Sequence, residues 1–272
     1  MGGTMSGYIF DNAAERETEQ RFGSLAALYD TRTIRFLKAT GIGAGWHCLE
    51  LGAGGGSIAT WLADQVGDTG HVTATDIDPR FLTAVQAMGR PNIAVLRHDV
   101  TVDPLPETAF DLIHARLVFI HLSSAHEVIG RLVTALKPGG WLIVEDFDPT
   151  LVGERTYSST DPTDAAIALR AFAALEQLRA SRGVAPGWGR NLYRTFRALG
   201  LVAVGLDGQL AVHPGGSAGA RLFQANFAQI RSTAIDGGLI TAVELDRMVA
   251  LLDDPDFAIS TPVMCTAWGR RA

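Results

Sequence analysis

The chain has 272 residues, of which 47% are hydrophobic and 19% are charged. This composition is typical of a globular protein with a sizeable core, either one large α/β domain or a domain with an added lobe. The formal net charge of -6 gives no general attraction to nucleic acid or to an anionic membrane, and the basic residues form no cluster that would supply a local one.

The N-terminal segment lacks a basic region followed by an apolar one, and no apolar run reaches the length of a membrane span. Cys48 and Cys265 both lie in apolar, strand-like runs, which favours buried reduced thiols over a disulfide or a metal pair. We therefore expect a cytoplasmic protein with no metal site.

Apolar residues at helical spacing predict one or two amphipathic helices between Asn12 and Lys38. A glycine-rich break at Gly41 to Gly45 follows, and strands then alternate with helices as far as Asp148. The predicted strands are WHCLEL, HVTATD, NIAVLRHD, FDLIHARLVF and WLIVEDFD, and the predicted helices are SIATWLADQVG, DPRFLTAVQAMG and SAHEVIGRLVTALKPGG. This alternation predicts an α/β fold with a doubly wound, mostly parallel sheet that is covered on both faces.

The pattern changes after Asp148. Helices are predicted at residues 164–181, 192–199, 218–234 and 241–252, and strand-like runs at LVAVGLDGQLAVH and FAISTPVMCTAWGRR. We interpret the later helices as insertions that cover the ligand edge, since α/β sheets bind ligands at the carboxyl ends of their strands. A dimerisation lobe is the alternative interpretation, and a homodimer stays open.

The stretch ELGAGGG places Glu50 in an apolar strand and Gly52, Gly54 and Gly56 in the turn that follows. Glycines at these positions let the backbone turn tightly and approach a ligand with no Cβ in the way. The dinucleotide fingerprint G-x-G-x-x-G fails at Ser57, and an acid at Glu50 would lie close to a pyrophosphate, so NAD is disfavoured. A carboxylate suits a cationic ligand instead, and S-adenosylmethionine carries both an ammonium and a sulfonium.

Asp76 ends the second predicted strand. In nucleoside-binding units of this kind, an acid at this spacing accepts hydrogen bonds from the ribose hydroxyls. Asp76 therefore indicates a nucleoside ligand without choosing between the two cofactors.

The sequence resembles the class I S-adenosylmethionine-dependent methyltransferases in five blocks that occur in that family's order. These blocks are ELGAGGG, TATDIDP, LRHDV, FDLIHAR and LKPGGWLIVEDFD. GYIFDN and DDPDF are similar to a group of actinobacterial-type small-molecule methyltransferases. The resemblance implies a Rossmann-like, doubly wound, mostly parallel sheet of about seven strands. It also implies S-adenosylmethionine as cofactor and methyl transfer to oxygen, nitrogen or carbon of a small organic molecule, as in natural-product metabolism. We predict an N-terminal helical cover (1–44), a cofactor-binding half (45–150), and the rest of the sheet with the covering helices (151–272).

The resemblance also implies residue roles at the first two strands. Glu50 would line the pocket for the methionine ammonium, and the backbone of Gly52, Ala53 and Gly54 would pack against the cofactor. Asp76 would hold the ribose. An acid inside an apolar strand is expensive unless it has a partner, which favours a functional Glu50 over an unpaired one.

Further roles are implied after the next two strands. Ile77 would lie against the adenine face, and Asp99 with the Val100 backbone would read the adenine edge. Arg116 would border both the cofactor and the acceptor, with an ion pair at the strand end as the alternative.

Candidate catalytic residues are fewer, because the sulfonium leaving group is already good and alignment can supply much of the rate. A base helps only where the acceptor loses a proton. His121 is the candidate base, with a structural histidine as the alternative, and Arg116 is the second residue expected near the reacting centre.

Four side chains are candidates for contact with the acceptor. Asp146, at the end of the fifth strand, would orient it or simply end the strand. Tyr8 and Phe10 would belong to a lid, with a frayed tail as the alternative. Trp188 would line an apolar acceptor pocket, with core packing as the alternative.

Two absences narrow the choice of acceptor. The stretch HARLVFIH has no carboxylate for a metal, and no Asn-Pro-Pro-Tyr or Asp-Pro-Pro-Tyr run of a nucleic-acid base methyltransferase follows it. The first absence disfavours metal dependence, and the second, together with the net charge of -6, favours a small-molecule acceptor. Two rival hypotheses remain, namely a protein that binds S-adenosylmethionine without methyl transfer and an NAD-dependent oxidoreductase.

Overall fold

The computed structural model describes residues 15–151, 161–184 and 187–272. The helices are α1 Glu15–Ala39, α2 Ser57–Val66, α3 Thr83–Ala87, α4 Ala125–Ala135, α5 Pro162–Ser181, α6 Trp188–Ala198, α7 Ala218–Asp236 and α8 Ala242–Leu251. The strands are β1 His47–Leu51, β2 His71–Asp76, β3 Ile93–Arg97, β4 Phe110–Arg116, β5 Leu136–Asp148, β6 Val202–Gln209, β7 Val212–Pro214, β8 Ala258–Ser260 and β9 Val263–Arg270. Short 3-10 helices occur at Pro79–Leu82, Phe119–His121 and Pro149–Leu151.

Seven strands form one sheet in the order β3-β2-β1-β4-β5-β9-β6, and β7 pairs with β8 in a separate two-stranded sheet. Strands β1 to β5 are parallel to one another, while β9 is antiparallel to both of its neighbours, β5 and β6. The predicted Rossmann-like, mostly parallel sheet is confirmed. Because β1 to β5 run in one direction, the residues that follow them meet at a single edge.

Apolar side chains on both faces of the sheet explain why its strands have continuous apolar runs. Helix α2 contributes Ile58 and Leu62 to a core with Cys48 and Val72 on one face. Helices α4 and α6 pack on the other face. A third core joins α5, α7 and α8, the insertions predicted after residue 151. Its phenylalanines include Phe172 and Phe223, whose ring centroids are 4.9 Å apart in an edge-to-face arrangement.

Three local predictions differ from the structure. The helix predicted for DPRFLTAVQAMG is a 3-10 turn followed by the short α3. Helix α4 ends at Ala135, and LKPGG belongs to β5, because Pro138 excludes the helical conformation for the residue before it. The strand predicted for LVAVGLDGQLAVH divides into β6 and β7. Among the described helices, none combines the length and apolar character needed to cross a membrane.

Candidate active site

The residues predicted to bind the cofactor follow four neighbouring parallel strands. Gly52, Ala53 and Gly54 follow β1, while Asp76 ends β2. After β3 come Asp99 and Val100, and Arg116 ends β4; Ile77 comes directly after β2. The structure therefore brings the predicted set to one edge of the sheet. Tyr8 and Phe10 lie outside the described residues.

The glycine loop is in contact with two side chains that the sequence analysis did not single out. Gly52 has φ +65°, and a Cβ added there would lie 2.5 Å from Val118 Cγ2. Gly54 has φ +49°, and its added Cβ would lie 2.7 Å from Phe22 Cε1. Both positions therefore combine a left-handed backbone with a close approach, the two conditions that require glycine. Phe22 of α1 also meets Phe81 edge to face, with centroids 5.1 Å apart.

The approach of Val118 to Gly52 depends on an unusual backbone conformation. Leu117, directly after β4, has φ +56°, which is uncommon for a bulky residue. Its amide donates to the Glu145 carbonyl over 2.8 Å, which fixes the turn. Strained residues of this kind cost about 1–3 kcal/mol and are concentrated at functional sites. The strain here directs the segment after β4 onto the glycine loop.

Asp76 connects the ends of β1 and β2. Its Oδ2 accepts from the Gly54 amide over 3.0 Å, and its Oδ1 accepts from the Asp78 amide over 3.0 Å. Burial raises the pKa of the Asp76 carboxyl, and these two amide donors oppose that shift. A carboxylate has about four lone-pair sites, so Asp76 retains capacity for a ligand's hydroxyls while it shapes the loop.

Asp99 organises the turn after β3. Its Oδ1 accepts from the Thr101 amide over 2.9 Å and from Thr101 Oγ1 over 2.6 Å, and its own amide donates to Asp103 Oδ2 over 2.8 Å. Val100 is buried. These contacts are typical of an aspartate that forms a turn, and they are also compatible with adenine recognition. The adenine role of Asp99 therefore stays a prediction.

Glu50 belongs to a buried chain of charged groups that crosses three strands. Its Oε2 lies 2.7 Å from His114 Nδ1 on β4, and His114 Nε2 lies 3.5 Å from Glu145 Oε2 on β5. Burial alone would lower the pKa of His114, but the two carboxylates outweigh burial and raise it to about 9. His114 is therefore an imidazolium at neutral pH, and it is the partner that the buried acid in β1 requires.

The same chain of charged groups reaches α1. Glu145 Oε2 accepts from Thr33 Oγ1, and Oε1 accepts from Thr266 Oγ1 over 2.7 Å. Arg116 Nη1 forms an ion pair with Asp30 Oδ1 at 2.9 Å and donates to Thr33 Oγ1 over 3.1 Å. Burial would raise the pKa of Glu145, but the bond from His114 and the charges of His114 and Arg116 leave it lowered. Helix α1 is therefore attached to the strand ends that surround the glycine loop.

His121 lies in the 3-10 helix after β4 and is buried. Burial, together with the guanidinium groups of Arg179, Arg21 and Arg182, holds the pKa of His121 well below its ordinary value. The imidazole is neutral at pH 7, the form that a base needs, but its basicity is reduced.

Asp146 is fully buried beside Trp188 at the start of α6. Burial raises the pKa of the Asp146 carboxyl well above its ordinary value, while the amides of Ile120 and Phe119 and the indole N–H of Trp188 oppose the shift. None of these donors is aligned for a hydrogen bond of normal geometry. Asp146 is therefore enclosed by protein and does not line the small cavity nearby. Trp188 lines that cavity together with Ile120 and Phe147.

The donor set fits a nucleoside ligand with a cationic side chain. A glycine cradle, a buried acid at the end of β2 and a buried acid in β1 are the groups that S-adenosylmethionine requires, and the described residues contain no group of three His, Cys, Asp or Glu side chains placed to hold a metal ion. Phe22, Val118 and His114 are the residues that sequence reasoning missed. The available signal was the buried acids Glu50 and Glu145, which require a partner on the strand between them.

Comparison with solved structures defines the class of fold. The chain is similar to a phosphoethanolamine N-methyltransferase of Haemonchus contortus in complex with S-adenosyl-L-methionine, with a TM-score of 0.62 and 12% identity over 99% of this chain and 60% of that one. A putative methyltransferase from Bacillus halodurans gives a TM-score of 0.58 at 13% identity, over 88% of this chain and 97% of that one. At these identities the likeness establishes the fold alone, which is that of S-adenosylmethionine-dependent methyltransferases.

Sequence comparison gives matches over part of the chain. Residues 49–144 match the family model of the methyltransferase domain. Methyltransferase str2 of Strobilurus tenacellus is 36% identical over 102 residues, which are 37% of this chain and 35% of that protein. The ubiquinone/menaquinone biosynthesis C-methyltransferase UbiE of Psychromonas ingrahamii is 28% identical over 147 residues, 48% of this chain and 59% of that protein. The similarity to methyltransferases therefore lies in the part of the chain that holds β1 to β5, and the chain spans about a third to three fifths of the length of these relatives.

Proposed function

We propose that the protein transfers a methyl group from S-adenosylmethionine to a small organic acceptor, with oxygen, nitrogen or carbon as the methylated atom. The observation that carries this proposal is the contact between Asp76 and the Gly54 amide at the carboxyl edge of β1 and β2. This contact brings Asp76, the acid that we propose binds the ribose, next to the glycine loop, within the region that matches the methyltransferase domain model.

Each cofactor part has a candidate partner. Asp76 would accept from the ribose hydroxyls, Ile77 and Val100 would contact the adenine, and Asp99 would accept from its amino group. Glu50 would attract the ammonium across the glycine loop. The buried chain of Glu50, His114 and Glu145 holds two carboxylates and one imidazolium, so its net charge favours a cation.

The acceptor would approach between the segment after β4 and the end of β5. His121 would take a proton from a hydroxyl acceptor, and Arg116 would hold the covering helix against the site. The apolar residues near Trp188 support an organic acceptor. A role in natural-product metabolism and a homodimer rest on the sequence resemblance alone.

Isothermal titration with S-adenosylmethionine and S-adenosylhomocysteine, with NAD as the negative control, tests the cofactor. Micromolar binding of the first two and none of NAD is expected. Asp76→Asn should weaken binding by about 1–3 kcal/mol, the scale of hydrogen bonds to a charged group. Asp64→Asn is the matched control, because Asp64 forms an exposed ion pair with Arg90 over 2.6 Å and lies outside the site. Equal affinities of the two variants would refute the placement of the ribose.

Methyl transfer is tested separately from cofactor binding. Incubation with a panel of small hydroxyl, amine and activated-carbon acceptors should produce S-adenosylhomocysteine and a methylated product, both visible by mass spectrometry. Cofactor binding without either product across the panel would favour the alternative of a binding protein that transfers no methyl group.

A further inference from the structure

A small cavity lies between α5, the start of α6 and the carboxyl ends of β4 and β5. Its apolar lining includes Ile120, Phe147, Val184 and Trp188. Its volume of about 40 Å³ has room for roughly three water molecules, or for a group the size of a carboxylate. The cavity can therefore hold the polar end of a ligand but not a whole large molecule.

The position of the cavity relates it to the glycine loop. Val118 touches Gly52, and Ile120, two residues further along the same segment, lines the cavity. Phe22, which covers Gly54, packs in one apolar cluster with Ile120 and Phe147. A ligand that enters the cavity thus lies one short segment away from the loop where the cofactor is proposed to bind.

Among the described residues that line the cavity, the charged ones are one arginine and one glutamate. Arg179 is 7% exposed, and its Nη1 donates to Glu176 Oε1 over 2.8 Å. The Nε of the same guanidinium is buried and has no acceptor. A buried donor without an acceptor costs roughly 1–3 kcal/mol, so an oxygen atom supplied by a ligand would recover that cost.

The surroundings of Arg179 are positively charged. Arg21 and Arg182 join Arg179 in lowering the pKa of His121, where burial is the largest cause. Among the described residues that line the cavity, Glu176 is the one carboxylate. Burial favours the neutral form of the nearby Asp146 carboxyl, which limits its repulsion of an anion.

We propose that this cavity receives the polar end of the methyl acceptor, and that this end is a negatively charged oxygen group, a carboxylate or a phosphate, bound by the Arg179 guanidinium. The planar guanidinium presents donors in a fork that matches both anions. The statement that the ligand is the methyl acceptor rests on the proposed function. The proposal that the cavity binds an anion rests only on the geometry of the cavity and of Arg179.

Ligand-observed NMR titration of the full chain with three small probes tests the proposal. Benzoate and phenyl phosphate carry the two anions, and benzamide is the neutral counterpart of benzoate. We expect millimolar binding of at least one anion and affinity about tenfold lower for benzamide. The order of benzoate and phenyl phosphate distinguishes a carboxylate from a phosphate ligand. Equal binding of benzoate and benzamide, or no binding of either anion, would overturn the proposal.

Two substitutions with opposite expected effects on anion affinity test whether Arg179 binds the anion. Arg179→Gln should abolish the preference for the anion, whereas Glu176→Gln should strengthen anion binding by about two- to fivefold, because it removes the competing carboxylate. Arg231→Gln is the matched control, since Arg231 forms an exposed ion pair with Asp246 on α8. If Arg179→Gln does not fold, Arg179→Lys keeps the charge and should bind the anion more weakly than the wild type but still prefer it to benzamide. Weaker anion binding by Glu176→Gln would contradict the proposal.

Titration with S-adenosylhomocysteine in parallel separates the two proposals. Cofactor binding with no anion preference refutes the anion site and leaves the proposed function intact. Anion preference that depends on Arg179 without any cofactor binding supports the site and refutes the proposed function.

Discussion

Phe22 illustrates what a single side chain does at the candidate cofactor site. Its ring lies on Gly54 and Gly55, and it meets Phe81 edge to face at 5.1 Å. An aromatic ring at this position covers the cradle in which the cofactor is proposed to lie. Such a cover acts mainly on the rate at which a bound ligand leaves.

We therefore expect Phe22→Ala to increase the dissociation rate of S-adenosylhomocysteine by roughly tenfold, with a smaller change in the association rate. Surface plasmon resonance or stopped-flow displacement measures both rates. Phe36→Ala is the matched control, because Phe36 lies on the same helix but stacks on Trp268 at 5.3 Å. Equal dissociation rates of the two variants would show that the ring does not cover the bound ligand.

Some residues of the site were predictable and others were not. Asp76 was identifiable because its place at the end of the second strand is set by local spacing. His114 was not, because its role depends on the pairing of β1 with β4, which puts Glu50 and His114 side by side. Phe22 contacts a loop about thirty residues away along the chain, and no local pattern specifies that contact.

Helix α2 shows how two glycines can have different roles within one element. Gly56 precedes the helix with φ +77°, and Gly67 follows it with φ +63°. A Cβ added at Gly56 would lie 1.9 Å from Val85 Cγ2, whereas one added at Gly67 would meet nothing within 4 Å. Both positions have a positive φ, but ψ is 10° at Gly56, which is left-handed, and -167° at Gly67, a conformation that glycine alone adopts readily.

Gly56→Ala should lower the free energy of unfolding by about 2–4 kcal/mol, because displacement of Val85 adds to the cost of a left-handed conformation for alanine. Gly67→Ala should lower it by about 1–3 kcal/mol, which is the cost of the backbone conformation alone. Urea denaturation of both variants measures the two losses. A loss below about 1 kcal/mol in Gly56→Ala would mean that the loop shifts without strain to accept a side chain.

At the scale of elements, the apolar runs and glycine turns specify the alternation of strands and helices as far as β5. The lateral order of the sheet beyond β5 depends on long-range pairings, from Gln209 with Met264 (55 positions apart) to Trp141 with Arg270 (129 positions apart). Strand β9, the last in the chain, lies between β5 and β6, and its partner positions include Trp141 opposite Arg270. No short-range signal specifies that order, although the resemblance to the family implied a seven-stranded sheet.

For the molecule as a whole, the chain of Glu50, His114 and Glu145 joins β1, β4 and β5 to α1 through Thr33. A buried histidine between two carboxylates stabilises the fold only while it stays protonated. Loss of its proton leaves two buried negative charges without a positive partner. The fold should therefore depend on the protonation of one histidine.

The sign of this dependence follows from the pKa of His114, which is raised from 6.5 to about 9 in the folded protein. The folded state holds the proton more tightly, so the stabilisation is fully present below pH 6.5 and is lost as the pH rises through 9. The free energy of unfolding should fall by up to about 3 kcal/mol across this window. His114→Gln should remove the decline, whereas His126→Gln, on the exposed side of α4, should retain it.

Urea denaturation of the three proteins between pH 6 and 9.5 measures this dependence, and the difference between wild type and His114→Gln isolates the histidine. Burial raises the pKa of the thiols of Cys48 and Cys265 from 9.0 to about 12, so their stabilisation is lost only at the upper end of the range and equally in all three proteins. A decline of the same size in His114→Gln would mean that other groups cause it. In that case the imidazolium would not join the three strands, and the attraction of Glu50 for a cationic cofactor would have to be argued without it.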